Sequence, residues 1–323
     1  MRRRRVGKQA VLLLAHGTPE SIDQIPEYLR NITGGRPLPD TVVAEIQHRY
    51  GLIGHSPLTE ITLEQGSMVE RELAAAGHPV RVYVGMRNWH PYITDVMRQI
   101  KADGVQKLAV VCLAPQNSRT SVGLYRRAIE AEADGLTIDF TEGWANHPLL
   151  AEAFAERLRP TLARATAEAG HPVPVLFTAH SVPCRTIQTP PDGQGQPDSY
   201  AEDAKATAAA VAALVPEIPH WWFAFQSQGQ SGGTWVGPTV EQTLDAIARE
   251  GIRHLVLDPI GFLCDHVEIL YDIDIQFQQY SHQLGIQLVR PESLNASLCL
   301  AHAIAEVTIS ALVRLGVSPQ VMG

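Results

Sequence analysis

Two stretches of this sequence decide the fold, because they repeat one pattern. Val11-Leu-Leu-Leu-Ala-His16-Gly-Thr-Pro19 lines up with Val175-Leu-Phe-Thr-Ala-His180-Ser-Val-Pro183. Each is an apolar run typical of a parallel strand buried on both faces. Each run then continues into Ala-His, and a proline follows three positions after the histidine.

A second pair of stretches repeats in the same order. Pro91 to Gly104 and Pro238 to Gly251 each predict an amphipathic helix that begins after a proline and ends at a glycine. A short apolar run follows each glycine and predicts another strand. Two matches in one order indicate an internal duplication.

The duplication predicts the fold class: α/β, with two Rossmann-like, doubly wound lobes that each hold a parallel four-stranded sheet. We expect an N-terminal lobe over residues 8–165 and a C-terminal lobe over 166–323, with the last helix packing back on the first lobe. Ligands of such sheets bind beyond the carboxyl ends of the strands. His16 and His180 are therefore expected to face a central cleft.

Composition excludes several classes of protein. Of 323 residues, 26 are Lys or Arg and 34 are Asp or Glu, a net charge of −8 that argues against a nucleic-acid partner. Without a signal peptide or a transmembrane segment, we expect a cytoplasmic monomer. The basic run Arg2–Arg5 leaves a peripheral membrane contact open. No glycine-rich nucleotide-binding motif follows a predicted strand.

The four cysteines do not form a metal-binding pattern. Cys112, Cys184, Cys264 and Cys299 are scattered, without a CxxC pair. Structural zinc and iron–sulfur sites show tighter spacing, so we expect neither. Cys112 lies in an apolar run and is interpreted as a core residue.

An acidic segment follows the predicted strand at His254–Leu257. Asp265, Glu268 and Asp272 are spaced to share one face of a helix. One interpretation is a solvated acidic face near a helix N-terminus. The other is a track of carboxylates for a cation and for protons.

Groups suited to carboxylate binding follow other strands. Arg87 follows one predicted strand, and Ser118, Ser121 and Tyr125 follow another. For each arginine a surface ion pair is the alternative. A glycine-rich loop carries Trp235, which either caps the cleft or belongs to a simple connection.

Taken together, these motifs resemble the ferrochelatase family across about residues 10 to 310. Thr178 to Pro183 and Gly261 to Asp272 are similar to its paired signatures, and Leu13 to Pro19 and Trp235 to Pro238 fit in the same order. The resemblance implies a chelatase-like pair of lobes around a tetrapyrrole and insertion of Fe²⁺ into a porphyrin. Iron is then a substrate, and no permanently bound cofactor is expected.

By resemblance, His180 and Glu268 form the catalytic pair and, with Asp272, the metal-binding set. We favour Glu268 as the metal ligand and His180, with a pKa near the usual ~6.5, as the proton acceptor, although the sequence leaves the reverse assignment open. Many relatives hold a further acid where this chain has Gln276. That difference leaves a full outer metal site in doubt.

The resemblance also bears on the porphyrin. Only Gly51 to His55 stands where protoporphyrin-using relatives often carry a long apolar lip, so the chain resembles the branch that converts coproporphyrin III to coproheme. Protoporphyrin IX is the alternative. The expected porphyrin-binding residues are His16, Arg49, Ser56, Arg87, Ser118, Ser121, Tyr125 and Trp235.

His16 departs from the coproporphyrin branch, which often has tyrosine at this position. We expect its imidazole to contact iron in the product complex. Rival functions are a cobalt or sirohydrochlorin chelatase, a non-catalytic tetrapyrrole carrier and a two-lobed solute-binding protein.

Overall fold

The computed structural model describes residues 8–188, 197–229 and 233–319. The basic run Arg2–Arg5 and the middle of the glycine-rich loop before Trp235 lie outside these ranges. None of the helices in the described residues has the length and apolar character that a membrane crossing requires.

The chain forms two parallel four-stranded sheets, one from each half. The strands are β1 (Lys8–Ala15), β2 (Arg81–Met86), β3 (Val105–Cys112) and β4 (Thr137–Thr141), then β5 (Val175–His180), β6 (Trp221–Gln226), β7 (His254–Asp258) and β8 (Gln287–Val289). The first sheet has the order β2-β1-β3-β4 and the second β6-β5-β7-β8. The equivalent orders confirm the predicted pair of duplicated α/β lobes.

Helices connect the strands. They are α1 (Ile25–Ile32), α2 (Asp40–Ile53), α3 (Leu58–Ala75), α4 (Ile93–Ala102), α5 (Val122–Glu130), α6 (Pro148–Ala169), α7 (Tyr200–Leu214), α8 (Val240–Arg249), α9 (Val267–Leu270), α10 (Gln278–Gln283) and α11 (Leu298–Arg314). Residues Asp272–Phe277, between α9 and α10, form a π-helical turn.

The repeated helices α4 and α8 occupy equivalent places in the two lobes. The N–H of Met86 donates to the carbonyl of Pro91 at 2.7 Å, and that of Phe225 donates to Pro238 at 2.8 Å. Each helix is followed by a glycine with positive φ, 73° at Gly104 and 82° at Gly251. Because a side chain is strained in that conformation, the sequence repeat reflects a backbone requirement.

The two halves share one apolar core and exchange their last helices. α6 packs on α7 and β7 of the second half, while α11 packs on α3, β3 and β4 of the first. Buried residues of β1 and β5, among them Leu13 and Phe177, belong to one continuous cluster. The division predicted at residues 165 and 166 falls inside α6.

The prediction that Asp265, Glu268 and Asp272 share one face of a helix is wrong for Asp265. Asp265 lies before α9, so it does not share a helical face with Glu268 and Asp272. Its carboxylate accepts hydrogen bonds from Ser293 at 2.7 Å and Asn295 at 2.9 Å. These bonds hold Asp265 in the structural framework of the second lobe.

Candidate active site

A cavity of about 460 Å³ lies beyond the carboxyl ends of both sheets. Parallel strands direct the residues that follow them to one edge of the sheet, so the site collects side chains from both halves. The predicted site residues that line it are His16, Arg87, Ser118, Ser121, Tyr125, His180, Trp235 and Glu268. Its volume falls in the range usual for small-molecule pockets.

His180 and Glu268 meet inside this cavity. His180 ends β5, and its Nε2 lies 3.5 Å from Oε1 of Glu268 on α9. The other imidazole nitrogen, Nδ1, contacts the carbonyl of Ser181. Oε2 of Glu268 lies 3.6 Å from Nε2 of His266, so the carboxylate stands between two imidazoles.

His180 and Glu268 each shift the pKa of the other. Burial works against the charged form of His180, but the Glu268 carboxylate outweighs it and raises the pKa of the imidazole above its usual range. Burial likewise opposes the charged form of Glu268, but His180 holds its pKa well below the usual range. The expected pKa near 6.5 for His180 is therefore wrong for the resting site, where the imidazole is protonated at neutral pH.

Asp272 lies next to this pair in the π-helical turn. Burial and the charge of Glu268 raise the pKa of its carboxyl to about 6. Ser227 donates a hydrogen bond to it, and Nη1 of Arg49 stands 3.6 Å from its Oδ1. Gln276, where relatives carry a further acid, is exposed.

Two of the predicted porphyrin-binding residues, Arg49 and Ser56, lie outside the cavity. Besides Asp272, Arg49 binds Glu45 at 2.9 Å, and neither Arg49 nor Ser56 belongs to the cavity lining. Ser56 is buried before α3, and its hydroxyl contacts no partner in the part of the chain that the structure describes.

His16 enters the cavity from the first half. Its Nε2 lies 3.0 Å from the hydroxyl of Tyr28, and Nδ2 of Asn88 lies at the same distance. Burial and the nearby Arg87 lower the pKa of His16 to about 3. The imidazole is therefore neutral, the form in which histidine can bind a metal.

One wall of the cavity is suited to binding a carboxylate. The guanidinium of Arg87 lies 5.7 Å from the ring centroid of Tyr125. Its buried Nε has no hydrogen-bond partner among the described residues. Ser118 and Ser121 add hydroxyls to the same lining. Such donors prefer a planar anion.

Sequence reasoning gave no role to His266 or Tyr200, which both line the cavity. His266 stands inside the acidic motif and could have been noticed, but no motif points to Tyr200. Trp235 lines the cavity too, and an added Cβ on Gly229 would lie 2.8 Å from its ring. Across residues 8–188, 197–229 and 233–319, no group of three or more His, Cys, Asp or Glu is arranged to hold a metal ion.

Comparisons of the fold define the class of protein. The sirohydrochlorin chelatase of Bacillus subtilis subspecies spizizenii, solved with cobalt, superposes with a TM-score of 0.58 at 12% identity, over 96% of this chain and 97% of that one. The fold is that of the chelatases.

Sequence comparison then identifies the family. The family model described as Ferrochelatase matches residues 8–312. A protein of Acidobacterium capsulatum named Ferrochelatase is 58% identical over 96% of this chain and 97% of its own length. A Geobacillus protein named Coproporphyrin III ferrochelatase is 30% identical over 94% of this chain and 97% of its own. The chain belongs to the ferrochelatase family.

This assignment confirms the resemblance found in the sequence. The protein is a metal chelatase of haem biosynthesis, and its substrates are a porphyrin and ferrous iron. The family assignment replaces the rival expectations, which were a cobalt or sirohydrochlorin chelatase, a non-catalytic carrier and a solute-binding protein.

Proposed function

We propose that this ferrochelatase acts on coproporphyrin III and releases coproheme. The observation that carries the proposal is Arg87, half-buried in the cavity with an unpartnered Nε, beside Ser118, Ser121 and Tyr125. Coproporphyrin III has propionates on all four pyrroles, whereas protoporphyrin IX has vinyl groups in place of two of them. We propose that the edge of the ring at Arg87 is one that carries propionate in coproporphyrin and vinyl in protoporphyrin; a propionate can pair with this guanidinium and a vinyl group cannot.

The energetic difference is large enough to set specificity. A hydrogen bond to a charged group contributes about 1.5–3 kcal/mol, and an unpaired buried charge costs more. A vinyl group packed against this wall would remove water from the guanidinium of Arg87 and would offer no hydrogen-bond acceptor in its place. Coproporphyrin is therefore the better partner for the same surface.

Two further observations support the coproporphyrin substrate. α2 ends at Ile53 and α3 begins at Leu58, so a long apolar lip does not fit between them. Relatives named Coproporphyrin III ferrochelatase match nearly the whole chain, although the relative at 58% identity is named Ferrochelatase.

For the chemistry, we propose Glu268 as the metal ligand and His180 as the proton acceptor. Insertion of Fe²⁺ releases the two pyrrole N–H protons. An ionised carboxylate suits ferrous iron, and we propose that Asp272, whose carboxyl is close enough to be affected by the charge of Glu268, passes the ion to it. Iron on Glu268 would cancel the charge that keeps His180 protonated. His180 would then release its proton to solvent water and become able to accept one from the porphyrin.

The second pyrrole proton needs a separate acceptor. His266 lies on the other oxygen of Glu268 and is in place to take it. Iron does not change its oxidation state in this reaction, so we propose no resident cofactor and no iron–sulfur cluster. We also propose that the protein works as a monomer in the cytoplasm.

The test is anaerobic iron insertion followed by absorbance, run in parallel on coproporphyrin III and protoporphyrin IX. We expect kcat/KM to be at least about tenfold higher for coproporphyrin. Arg87→Met should lower that value about 10- to 100-fold for coproporphyrin and far less for protoporphyrin. Arg127→Met, on the exposed side of α5, is the matched control. Faster insertion into protoporphyrin by the wild type would refute the substrate assignment.

The catalytic pair is tested separately. Glu268→Gln and His180→Ala should each lower kcat by at least about a hundredfold while porphyrin binding persists. Full activity in either variant would contradict its assigned role.

A further inference from the structure

The segment between β3 and α5, here called the wall loop (residues 113–121), docks on the second half of the chain. The N–H of Asn117 donates to Asp203 at 3.0 Å. Nη2 of Arg119 donates to the carbonyls of Thr186 and Gln188. The wall loop carries Ser118 and Ser121, so the position of the cavity wall depends on contacts between the two halves.

One buried carboxylate, that of Asp198, holds the centre of this contact. Asp198 is 6% exposed. Its Oδ2 accepts the N–H of Arg119 at 2.7 Å and the hydroxyl of Ser118 at 3.3 Å. Its Oδ1 accepts the N–H of Tyr200 at 3.2 Å. A single side chain therefore binds the first-half wall with one oxygen and the second half with the other.

Both ends of this connection reach the cavity. Ser118 and Tyr200 line it, while Asp198 does not. The phenol of Tyr200 contacts the backbone of His180, the proposed proton acceptor. Asp198 thus sets the position of the wall relative to His180 from outside the cavity.

We propose that Asp198 is a positioning residue for porphyrin binding. It holds the carboxylate-binding wall of the first half in register with His180 and Glu268 of the second. A macrocycle that spans the cavity needs both sides at nearly fixed separation, because the ring carbons that carry its short propionate chains are rigidly connected to its centre. The proposal rests on the proposed function, in which this cavity receives the porphyrin.

The variant that tests it is Asp198→Asn. Asparagine keeps one acceptor oxygen, but its amide would face a backbone N–H of Arg119 or Tyr200, so one half of the contact is lost. We expect the KM for coproporphyrin, and its Kd measured without iron, to rise about tenfold, about 1.4 kcal/mol. We expect kcat to stay within about twofold, because His180 and Glu268 are intact, and the KM for Fe²⁺ to stay unchanged.

Asp203→Asn is the matched control. Asp203 also joins α7 to the wall loop, because it accepts the N–H of Asn117 as well as the hydroxyl of Ser199 at the start of α7, but neither Asp203 nor Asn117 lines the porphyrin cavity. We expect its porphyrin KM to rise much less than that of Asp198→Asn, because Asp203 holds the wall loop at Asn117 and not at a residue that lines the cavity. Asp198→Glu restores two acceptor oxygens, should recover part of the affinity, and serves as the second variant if Asp198→Asn folds poorly.

Two results would overturn the proposal. One is a lowered melting temperature with an unchanged porphyrin KM in both Asp198 variants, which would give Asp198 a purely structural role. The other is an equal rise of KM in Asp198→Asn and Asp203→Asn. If the wild type prefers protoporphyrin, the substrate proposal fails, and the same comparison made with protoporphyrin still decides the role of Asp198.

Discussion

A buried carboxyl group at the end of β7 gives the most quantitative prediction. Asp258 is 2% exposed, and its Oδ2 has no hydrogen-bond partner in the described part of the chain. Burial raises the pKa of Asp258 to about 8, although Arg290 acts in the opposite direction. The carboxyl is therefore protonated in the native protein near neutral pH.

The consequence for stability follows from the two protonation states. In the unfolded chain the carboxyl ionises near the usual pKa of ~3.9. Between these two values the native state holds a proton that the unfolded state has lost. The free energy of unfolding therefore falls by about 1.4 kcal/mol for each pH unit. The favourable contribution is complete below the unfolded pKa and is lost as the pH rises towards 8.

The perturbation is Asp258→Asn, and the measurement is urea unfolding of both proteins at several pH values. An amide without a hydrogen-bond partner destabilises the variant equally at every pH, so it does not change how the difference in unfolding free energy depends on pH. From about pH 5.5 to about pH 7.5 the variant should gain about 3 kcal/mol relative to the wild type. Asp134→Asn, at an exposed position, is the control and should show a constant offset. A constant offset for Asp258→Asn as well would refute the reasoning.

Three shorter predictions concern other parts of the second lobe and His16. Gly261→Ala places a Cβ 2.6 Å from Cβ of Ala179, so we expect a loss of about 1–3 kcal/mol in thermal unfolding and slower iron insertion. Arg290→Met removes the guanidinium 2.6 Å from the partly exposed Asp274, and urea unfolding should show a loss of about 1–3 kcal/mol. His16→Ala should change the absorbance spectrum of the bound product, since the neutral imidazole is available to iron; a spectrum identical to that of the wild type would remove that contact.

The fold could be predicted from the sequence because parallel strands buried on both faces leave apolar runs. Val11 to Ala15 and Val175 to Ala179 are such runs, and the repeated helices begin and end with the same residue types. We expected the last helix, α11, to pack on the first lobe, and it does, but the packing of α6 on the second lobe left no comparable trace in the sequence. A helix that packs on its own sheet and one that packs on the other sheet need the same apolar face.

The site was predicted only where chemistry and local spacing coincide. His180 and Glu268 lie in motifs, and the structure brings them together. Helical spacing failed for Asp265, because α9 begins only at Val267 and the next turn is π-helical. Periodicity assumes a regular helix and does not show where one starts. The role proposed for Asp198 depends on its contacts with residues about eighty positions away in the sequence. No local sequence pattern indicates such contacts.

The repeat also explains how one sequence motif provides two different chemical groups. His16 and His180 follow equivalent strands, yet the first imidazole is neutral and the second is protonated. In the first lobe, burial and the charge of Arg87, which follows the strand beside His16, lower the pKa of that imidazole. The register of the second lobe puts the neutral Gln226 at the equivalent position, and its Nε2 donates to the backbone carbonyl of Glu268 at 3.0 Å. Burial and the charges near each imidazole, Arg87 beside His16 and Glu268 beside His180, therefore set the different pKa values of the two histidines, rather than the motif itself.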